Sequence, residues 1–587
     1  MKKLLIVLLC LLMLLPAGCK KKPEPVPGGD PDPAESDVQK QFNELQLKWF
    51  AEDLSEDYSN LHFSLVDPAK YGIKDVEVTL GEIHYDLTDE DRQTIADLRN
   101  RNLELAKFKP EELTEDQQIM YECMKYYFNL QLALMETEKD YTFLFTPNSG
   151  LNNNVITVFT EFDFRSEQDV KDYITLLNDT GRYFDQAIEY TRRQAEEGII
   201  QPDSTIDGVL EQCERFIADP DKNEVVKVFA GAIDGMNLAG KDEYIAQVRK
   251  GVDEVMIPAY KRVIEFYEGL KGKATKSGAL ADYGDDGKKL YELIVRSKVS
   301  SDKSIEEIMD EVQDKLVSTF NSILRNLDTT LTEGYGYNDP YEILDHIKEV
   351  MTDDYPEIPK VDYKISFLDK SVTSENMSAY YLIAPADDYN KNVIKVNPTF
   401  VENDPDGICI TLAHEGYPGH LFQNTYYLYN HPGNEYRYNM SFLGYAEGWA
   451  EYCENRAYNY FLTNSREIKY LQDNNMFNYL LYAMVDMGVH YENWTVRDVA
   501  TVLEQFFQKS YARSVADQIF ETVVGDPGLF LPYGCGMFYM TRMMEEAKSA
   551  LGSKFDLKAY NKVVLDTGEA PFPVLQKQVD KYVSANK

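Results

Sequence analysis

The chain has 587 residues, and its 60 basic and 99 acidic side chains give a net charge of −39. A field of that sign repels phosphate backbones, so we set nucleic-acid binding aside. Hydrophobic residues make up 44% of the sequence, which is enough to build a large core and excludes a disordered chain.

The first 19 residues have the pattern of an export signal. A basic start precedes an apolar run from Leu4 to Leu15, which is too short to span a bilayer. The ending LPAGC resembles the lipobox of bacterial lipoproteins, although Pro16 stands where such boxes usually carry Leu. We predict a lipoprotein signal peptide over 1–19 with lipidation at Cys19. An ordinary cleaved signal peptide is the alternative.

The segment 20–37 is rich in Pro, Gly and charged residues. Such a composition is typical of a stiff, solvated tether between an anchor and a folded body. We therefore predict an exported protein, held by its lipid at the outer face of the cytoplasmic membrane and touching the membrane only there. The sequence does not indicate an oligomeric state.

From residue 38 to 587 we predict one mainly α-helical domain. Apolar residues recur at helical spacing over 38–58, 89–107, 114–136, 167–198, 203–218, 221–231, 240–272, 286–297 and 303–331. Residues 379–397 break this pattern, because β-branched and aromatic clusters flank a Pro/Asp/Asn turn. They predict a small hairpin, and hence a minor sheet, just before the motifs that carry chemistry at 404–542.

The stretch HEGYPGH, residues 414–420, is similar to the zinc-protease signature H-E-x-x-H, but its second histidine comes two residues late. In a regular helix, six residues would place His420 about 240° round from His414, so the two could not bind one metal ion. Pro418 and Gly419 should interrupt the helix and let His420 turn back towards His414. A structural turn without a metal is the alternative.

A second motif, LGYAEGWAEYCENRA, supplies carboxylates on a following helix. Zinc needs a third protein ligand, and Glu447 lies 27 residues after His420. Glu451, one turn further on, could bond the free ring nitrogen of a ligating histidine. We predict one zinc ion per chain on His414, His420 and Glu447, with Glu451 behind them. Swapped glutamate roles or two solvated glutamates are the alternatives, and cobalt or manganese would also suit these ligands.

Together with DMGVH and PGLFLPYGCGMFYMTR, these two motifs resemble the bacterial domain-of-unknown-function family 885. The resemblance runs from about residue 40 to 580. That family is similar to gluzincin metallopeptidases such as carboxypeptidase Taq and thimet oligopeptidase. The resemblance implies a large two-lobed helical fold with a zinc ion at the floor of a cleft. It also implies His414, His420 and Glu447 as ligands and Glu415 as the general base.

The C-terminal motif departs from the family pattern. Thr522 and Val523 stand where the family carries an Arg-Tyr pair, and Leu529 replaces a Gln. The positions that keep the family's spacing are Pro527, Gly528, Tyr533, Gly536 and Arg542. The family's Arg-Tyr pair contacts either the substrate or the other lobe, and the sequence leaves open which of these contacts this chain lacks.

Further side chains are candidates for roles around the metal. The oxyanion of an amide hydrolysis needs a second donor besides zinc, and His490 or Tyr533 would supply it as in the related peptidases. A core histidine and a structural tyrosine are the alternatives. Arg542 could bind a substrate carboxylate, with an internal ion pair as the alternative. His431 is the plausible rival to His420.

These residues predict a lipid-anchored zinc metallopeptidase acting on peptides. Zinc would activate a water molecule, and Glu415 would take its proton and pass it to the leaving amine. The run Val393–Val396 could offer a strand edge to an extended peptide. One alternative is a metal-dependent hydrolase of cell-wall or other small amides. The other is a non-catalytic peptide-binding lipoprotein, against which the intact Glu415 argues.

Overall fold

The computed structural model of the chain describes residues 35–137, 139–368 and 378–587. The predicted signal peptide, Cys19 and the tether up to residue 34 lie outside the described residues. Within them, no helix combines the length and the apolar character needed to span a bilayer.

The described chain is mainly helical, as predicted. The α-helices are α1 Asp37–Leu54, α2 Tyr58–Ser64, α3 Asp89–Leu105, α4 Glu115–Met135, α5 Leu151–Thr160, α6 Glu167–Glu196, α7 Asp203–Ile217, α8 Glu224–Ala232, α9 Lys241–Gly251, α10 Ile257–Glu268, α11 Gly284–Val299, α12 Ile305–Asn326, α13 Pro340–Val350, α14 Pro398–Asn403, α15 Pro405–Glu415, α16 His420–Asn430, α17 Tyr436–Asn439, α18 Leu443–Phe461, α19 Ser465–His490, α20 Val496–Leu503, α21 Lys509–Gly525, α22 Leu531–Leu551, α23 Leu557–Thr567 and α24 Phe572–Asn586. A π-helical turn, Val252–Met256, joins α9 to α10. Short 3₁₀ turns lie at Pro68–Tyr71, Pro110–Glu112, Pro220–Lys222, Leu280–Tyr283, Met351–Asp353 and Gly552–Lys554.

Side-chain capping fixes the start of several of the predicted helices. A Ser or Thr before the helix accepts a backbone N–H, and the third helical residue bonds back to it. These capping boxes begin at Ser36, Thr88, Thr114, Ser166 and Ser304. Helices α5 and α13 were not predicted from the sequence.

The sheet has the strand order β1-β3-β2, with β1 Tyr363–Phe367, β2 Ala379–Leu382 and β3 Asn392–Val396. Strands β2 and β3 pair antiparallel and form the predicted hairpin. Strand β1, which was not predicted, pairs parallel to β3. Because β3 is the central strand, both of its edges are occupied. The prediction that Val393–Val396 offers a free edge is therefore wrong.

Two separate hydrophobic cores divide the chain into two lobes. The small lobe is built from α5 to α10, around buried rings such as Tyr173, Phe184 and Tyr260. The large lobe holds the remaining helices, from α1 and α4 through to α24. The sheet contributes Leu382 and Val393 to the small-lobe core, while other sheet residues face the large-lobe core. The sheet thus lies at the junction of the lobes.

Helix α18, which carries the second motif, packs backbone to backbone on α22. A Cβ atom added at Gly448 would lie 2.6 Å from the backbone carbon of Gly536, and one at Gly536 would lie 2.4 Å from the carbonyl oxygen of Gly444. Only glycine permits this approach. The glycines of both motifs therefore set the spacing of the helix that carries Glu447.

We expect Gly448→Ala to lower the free energy of unfolding by about 1–3 kcal/mol, because the added methyl group overpacks the α18–α22 contact. The measurement is the denaturant midpoint. The control is Gly231→Ala in α8, where an added Cβ meets no atom within 4 Å and should not destabilise the helix. Equal stability of Gly448→Ala and wild type would contradict the close packing.

Candidate metal centre and active site

The helix carrying the first motif stops between the two histidines. Helix α15 begins at Pro405 and is capped by Asp404, whose side chain accepts the Gly407 N–H at 3.0 Å. It ends at Glu415, and α16 starts at His420. The predicted interruption is thus confirmed, and the ring centroids of the two histidines lie 4.9 Å apart.

The turn between the helices depends on its glycine and on the neighbouring helix. A Cβ atom on Gly419 would lie 1.8 Å from the carbonyl oxygen of His414, and the Gly419 N–H donates to the Ala413 carbonyl at 2.9 Å. The carbonyl of Pro418 accepts the indole N–H of Trp449 at 3.0 Å. Helix α18 therefore holds the turn that brings the histidines together.

The structure gathers His414, His420 and Glu447 into one buried cluster. One ligand atom from each lies within 4.8 Å of the others, and each histidine Nε2 is 3.4 Å from Glu447 Oε2. His420 Nε2 and Glu447 Oε2 have no hydrogen-bond partner among the described residues. Buried polar atoms normally have a hydrogen-bond partner. These unpaired nitrogen and oxygen atoms point to one place and are the ligand types that bind a divalent metal ion such as zinc.

Behind the cluster, Glu454 is the closest partner of His414. Its Oε2 lies 3.0 Å from His414 Nδ1, whereas Glu451 Oε1 lies at 3.7 Å. The orienting contact predicted for Glu451 is thus made mainly by Glu454, and Glu451 accepts the Asn475 side-chain N–H at 3.2 Å. Glu454 lies two helical turns after Glu447, a spacing that could have signalled the shared helix face.

The cluster brings more acidic than basic side chains together. Burial raises the pKa of Glu447, but the two imidazoles outweigh it and hold that pKa well below its usual range. Burial lowers the pKa of His414, but the carboxylates of Glu447 and Glu454 reverse the shift and raise it. Burial also raises the pKa of Glu415 and of Glu451. Four carboxylates around two imidazoles favour a bound cation.

Glu415 is held by the edge of the sheet. Its Oε2 accepts the backbone N–H of Tyr381, in β2, at 2.8 Å. That carboxylate lies beside both histidines, whose charges act on it. The general base proposed from the sequence is therefore buried, adjacent to the cluster and fixed by a backbone donor.

His490 has a different environment from the one predicted. Its Nδ1 accepts the Leu280 N–H at 3.1 Å, and its Nε2 lies 3.0 Å from the Val523 carbonyl. Burial lowers its pKa to about 4, so the ring is neutral with both nitrogens in use. The predicted oxyanion role does not fit, since no N–H is left to donate. Val523, one of the replaced family positions, is a core residue.

Arg542 also departs from its predicted role. Its Nη1 lies 2.7 Å from Glu311 Oε1, and its guanidinium stacks on the rings of Phe538 and Tyr539. This is the internal ion pair that the sequence left as the alternative. The ion pair with Glu311 already compensates the guanidinium charge, and no observation supports the predicted substrate contact.

Tyr533 is connected to the cluster's outer carboxylates through Tyr479. Its ring stacks on Tyr479 with centroids 5.7 Å apart, and the Tyr479 hydroxyl hydrogen-bonds Glu451. Asp486 accepts the Gly528 N–H at 2.9 Å and fixes the turn that leads to Tyr533. Asp486 begins the DMGVH motif, in which the sequence assigned it no role, and Tyr479 was not singled out because it lies outside every motif.

Residues 82–319 and 337–579 match the family described as "Bacterial protein of unknown function (DUF885)". The chain belongs to this family. The resemblance inferred from the motifs is thereby confirmed, and the second match contains the whole DUF885 cluster described above. No curated protein matches the chain.

The fold of the chain is similar to that of two solved structures. A candidate lipoprotein from Colwellia psychrerythraea is 18% identical, with a TM-score of 0.77 over 93% of this chain and 99% of that one. A candidate lipoprotein of unknown function from Shewanella oneidensis is 16% identical, with a TM-score of 0.57 over 92% and 98%. A candidate oligoendopeptidase F from Bacillus anthracis is 10% identical, with a TM-score of 0.27 over 86% of this chain and 97% of that one.

We expect Gly419→Ala to weaken metal binding by at least about tenfold, because the added methyl group would push His414 away from its orienting contacts. The affinity is measured by competition with a chelator. Gly235→Ala is the control, since an added Cβ there meets no atom within 4 Å. Unchanged affinity in Gly419→Ala would rule out the proposed function of the turn.

His431 is not part of the cluster, since its Nδ1 lies 3.1 Å from Asp116 Oδ2 and its Nε2 lies 3.7 Å from Asp566 Oδ1. Burial lowers its pKa, but the two carboxylates outweigh burial and raise the pKa from 6.5 to about 9. The charged imidazole therefore stabilises the fold below pH 6.5, and that stabilisation is lost as the pH rises through 9.

We expect His431→Gln to lower the melting temperature below pH 6.5 and to remove the decline between pH 6.5 and 9. Thermal melts of wild type and variant across this range test it. The control is His84→Gln, because His84 is an exposed histidine. A wild-type and a variant curve of the same shape would contradict the ion pair.

Proposed function

We propose that this protein is a zinc-dependent peptidase. The observation that carries the proposal is the buried set of His414, His420 and Glu447 beside the fixed carboxylate of Glu415. The cluster has the ligand types of a catalytic zinc site with three protein ligands. A structural zinc site would be closed by a fourth protein ligand, and no fourth His or Cys joins this one among the described residues.

A zinc ion held there would polarise a substrate carbonyl and lower the pKa of a bound water to about 7. Glu415 would act as the proton carrier, taking a proton and returning it to the leaving amine. Burial raises its pKa, which suits a group that must both accept and donate near neutral pH. The Tyr381 N–H would keep one carboxylate oxygen in place during both transfers.

Strand β2 is the strand edge best placed to receive a peptide. In an antiparallel ladder, alternate residues turn their N–H and C=O groups away from the partner strand. Ser378 C=O bonds towards β3 through the Asn397 N–H, and Tyr381 N–H points instead to Glu415. Because Glu415 uses the Tyr381 N–H, an extended peptide would pair with the outward groups of Ala379 and would lie next to the general base. This places the sequence-based hypothesis on β2 instead of β3.

The proposed location is the outer face of the cytoplasmic membrane, through a lipid on Cys19. Its support is the lipobox-like LPAGC sequence, together with the two similar structures from Colwellia and Shewanella, which are described as candidate lipoproteins. A peptidase in this position would act on peptides of the cell envelope.

We expect wild type to contain about one zinc ion per chain and His420→Ala and Glu447→Gln to contain almost none. Metal content by mass spectrometry measures this, with His84→Ala as the control histidine. We also expect Glu415→Gln to keep its zinc and to lose peptide turnover by a factor of about 10² to 10⁴.

The same samples separate the alternatives. Digestion of a peptide library by wild type supports the peptidase. Turnover of cell-wall amides without peptide cleavage would replace it with another metal-dependent hydrolase. If wild type and Glu415→Gln bind peptides equally well and neither cleaves them, the protein is a binding lipoprotein. A wild type that takes up no zinc would remove the metal proposal itself.

A further inference from the structure

Strand β2 is attached to its surroundings on both faces. The Tyr381 ring is buried in the large-lobe core, and its hydroxyl donates to the Asn392 side chain at 2.6 Å. Tyr380 packs against the small-lobe core, because successive side chains of a strand point to opposite faces. Along the chain, the Tyr381 N–H lies between these two side chains, and it donates to Glu415 at 2.8 Å. The position of β2 therefore sets the position of that N–H relative to Glu415.

One carboxylate binds the small-lobe face of the strand pair. Glu161 directly follows α5 and is only 4% exposed. Its Oε1 accepts the Tyr380 hydroxyl at 2.7 Å, and its Oε2 lies 2.7 Å from Lys395 Nζ. Tyr380 and Lys395 are direct partners in the register of β2 and β3. Each oxygen of Glu161 thus contacts one strand of the pair.

The backbone at Glu161 is itself fixed in the small lobe. Glu161 lies between Phe159 and Phe162, and both of these rings are buried in the small-lobe core. Each ring contacts the ring of Tyr173 in α6, with centroids 5.2 Å and 5.3 Å apart. The carboxylate therefore reaches the sheet from a well-packed part of the small lobe.

These polar contacts define the position of β2 more narrowly than its apolar contacts do. Leu382 and Val393 are buried in the small-lobe core, but apolar burial is non-directional and permits small shifts of a strand. A hydrogen bond from an N–H needs a donor–acceptor distance of about 2.7–3.2 Å. The bond from Tyr381 to Glu415 meets this limit only if β2 stays in place, and Glu161 supplies two directional contacts one residue away.

We infer that Glu161 is a positioning residue for the proposed general base, Glu415. Its carboxylate holds β2 and β3 against the small lobe, and β2 holds one oxygen of Glu415 through the Tyr381 N–H. The role in catalysis rests on the proposed function, whereas the hold on the Tyr381 N–H does not. The small lobe thus helps to orient a base that the large lobe carries.

The hold on β2 is tested by amide hydrogen exchange, which needs no activity. Glu161→Gln removes the charge that pairs with Lys395. We expect the Tyr381 N–H of this variant to exchange at least about tenfold faster than in wild type, because β2 no longer keeps it at Glu415. The amides of α18 are the internal reference and should keep their wild-type rates. A general loss of stability would raise both sets of rates.

The matched control is Asp163→Asn. Asp163 also follows α5 and is also buried, but its carboxylate pairs with Arg165 and Lys391 instead of β2. This variant loses a buried ion pair beside the same sheet. We expect its Tyr381 N–H to exchange at the wild-type rate.

Tyr380→Phe is a milder second variant, which keeps the test decisive if Glu161→Gln does not fold. It removes only the hydroxyl that Glu161 accepts, and it should also raise the exchange rate of the Tyr381 N–H. If that rate stays at the wild-type value, or rises only together with the rates of the α18 amides, Glu161 does not hold β2 and the inference falls.

The effect on catalysis is measured with the same proteins. We expect Glu161→Gln to lower kcat for peptide cleavage about tenfold with the zinc content unchanged, while Asp163→Asn keeps the wild-type kcat. A wild-type kcat in a Glu161→Gln protein whose Tyr381 N–H exchanges fast would overturn the positioning role. If wild type cleaves no peptide, the proposed function fails, and the exchange rates still decide whether Glu161 holds β2.

Discussion

The interruption of one helix is the constraint on which the rest of the site depends. Two imidazoles six residues apart leave a regular helix in different directions, so they meet only because α15 ends at Glu415 and α16 restarts at His420. The turn survives because Gly419 has no side chain and because Trp449 donates to its carbonyl. The helix that supplies Glu447 thus also holds the histidines that Glu447 meets.

Buried charge explains much of the surrounding architecture. Carboxylates are costly to bury unless cations or donors compensate them, and this chain buries several where its two lobes meet. Asp526 is satisfied by hydroxyl and amide donors from the small lobe, and Glu161 by Lys395 and Tyr380. The metal cluster is different, because its carboxylates outnumber the positive groups around it. A bound divalent ion would complete its charge balance in the same physical terms.

The sheet connects the lobes to the chemistry. One face of β2 and β3 contributes to the small-lobe core and the other to the large-lobe core. The backbone of β2 also holds Glu415. A movement of one lobe against the other would therefore shift β2 and, with it, the position of Glu415. The contact between the lobes is therefore connected directly to the site.

The sequence by itself determined the features that depend on neighbours in the chain. Capping boxes and apolar periodicity placed most helices, a Pro/Asp/Asn turn placed the hairpin, and the His, His and Glu spacing indicated the cluster. Only the tertiary structure decided which distant groups those residues meet. Both ring nitrogens of His490 hydrogen-bond the backbone, at the Val523 carbonyl and the Leu280 N–H. Arg542 forms an ion pair with Glu311. Such partners lie far away in the chain, and hydrogen bonds and ion pairs form by distance in space, which no local pattern encodes.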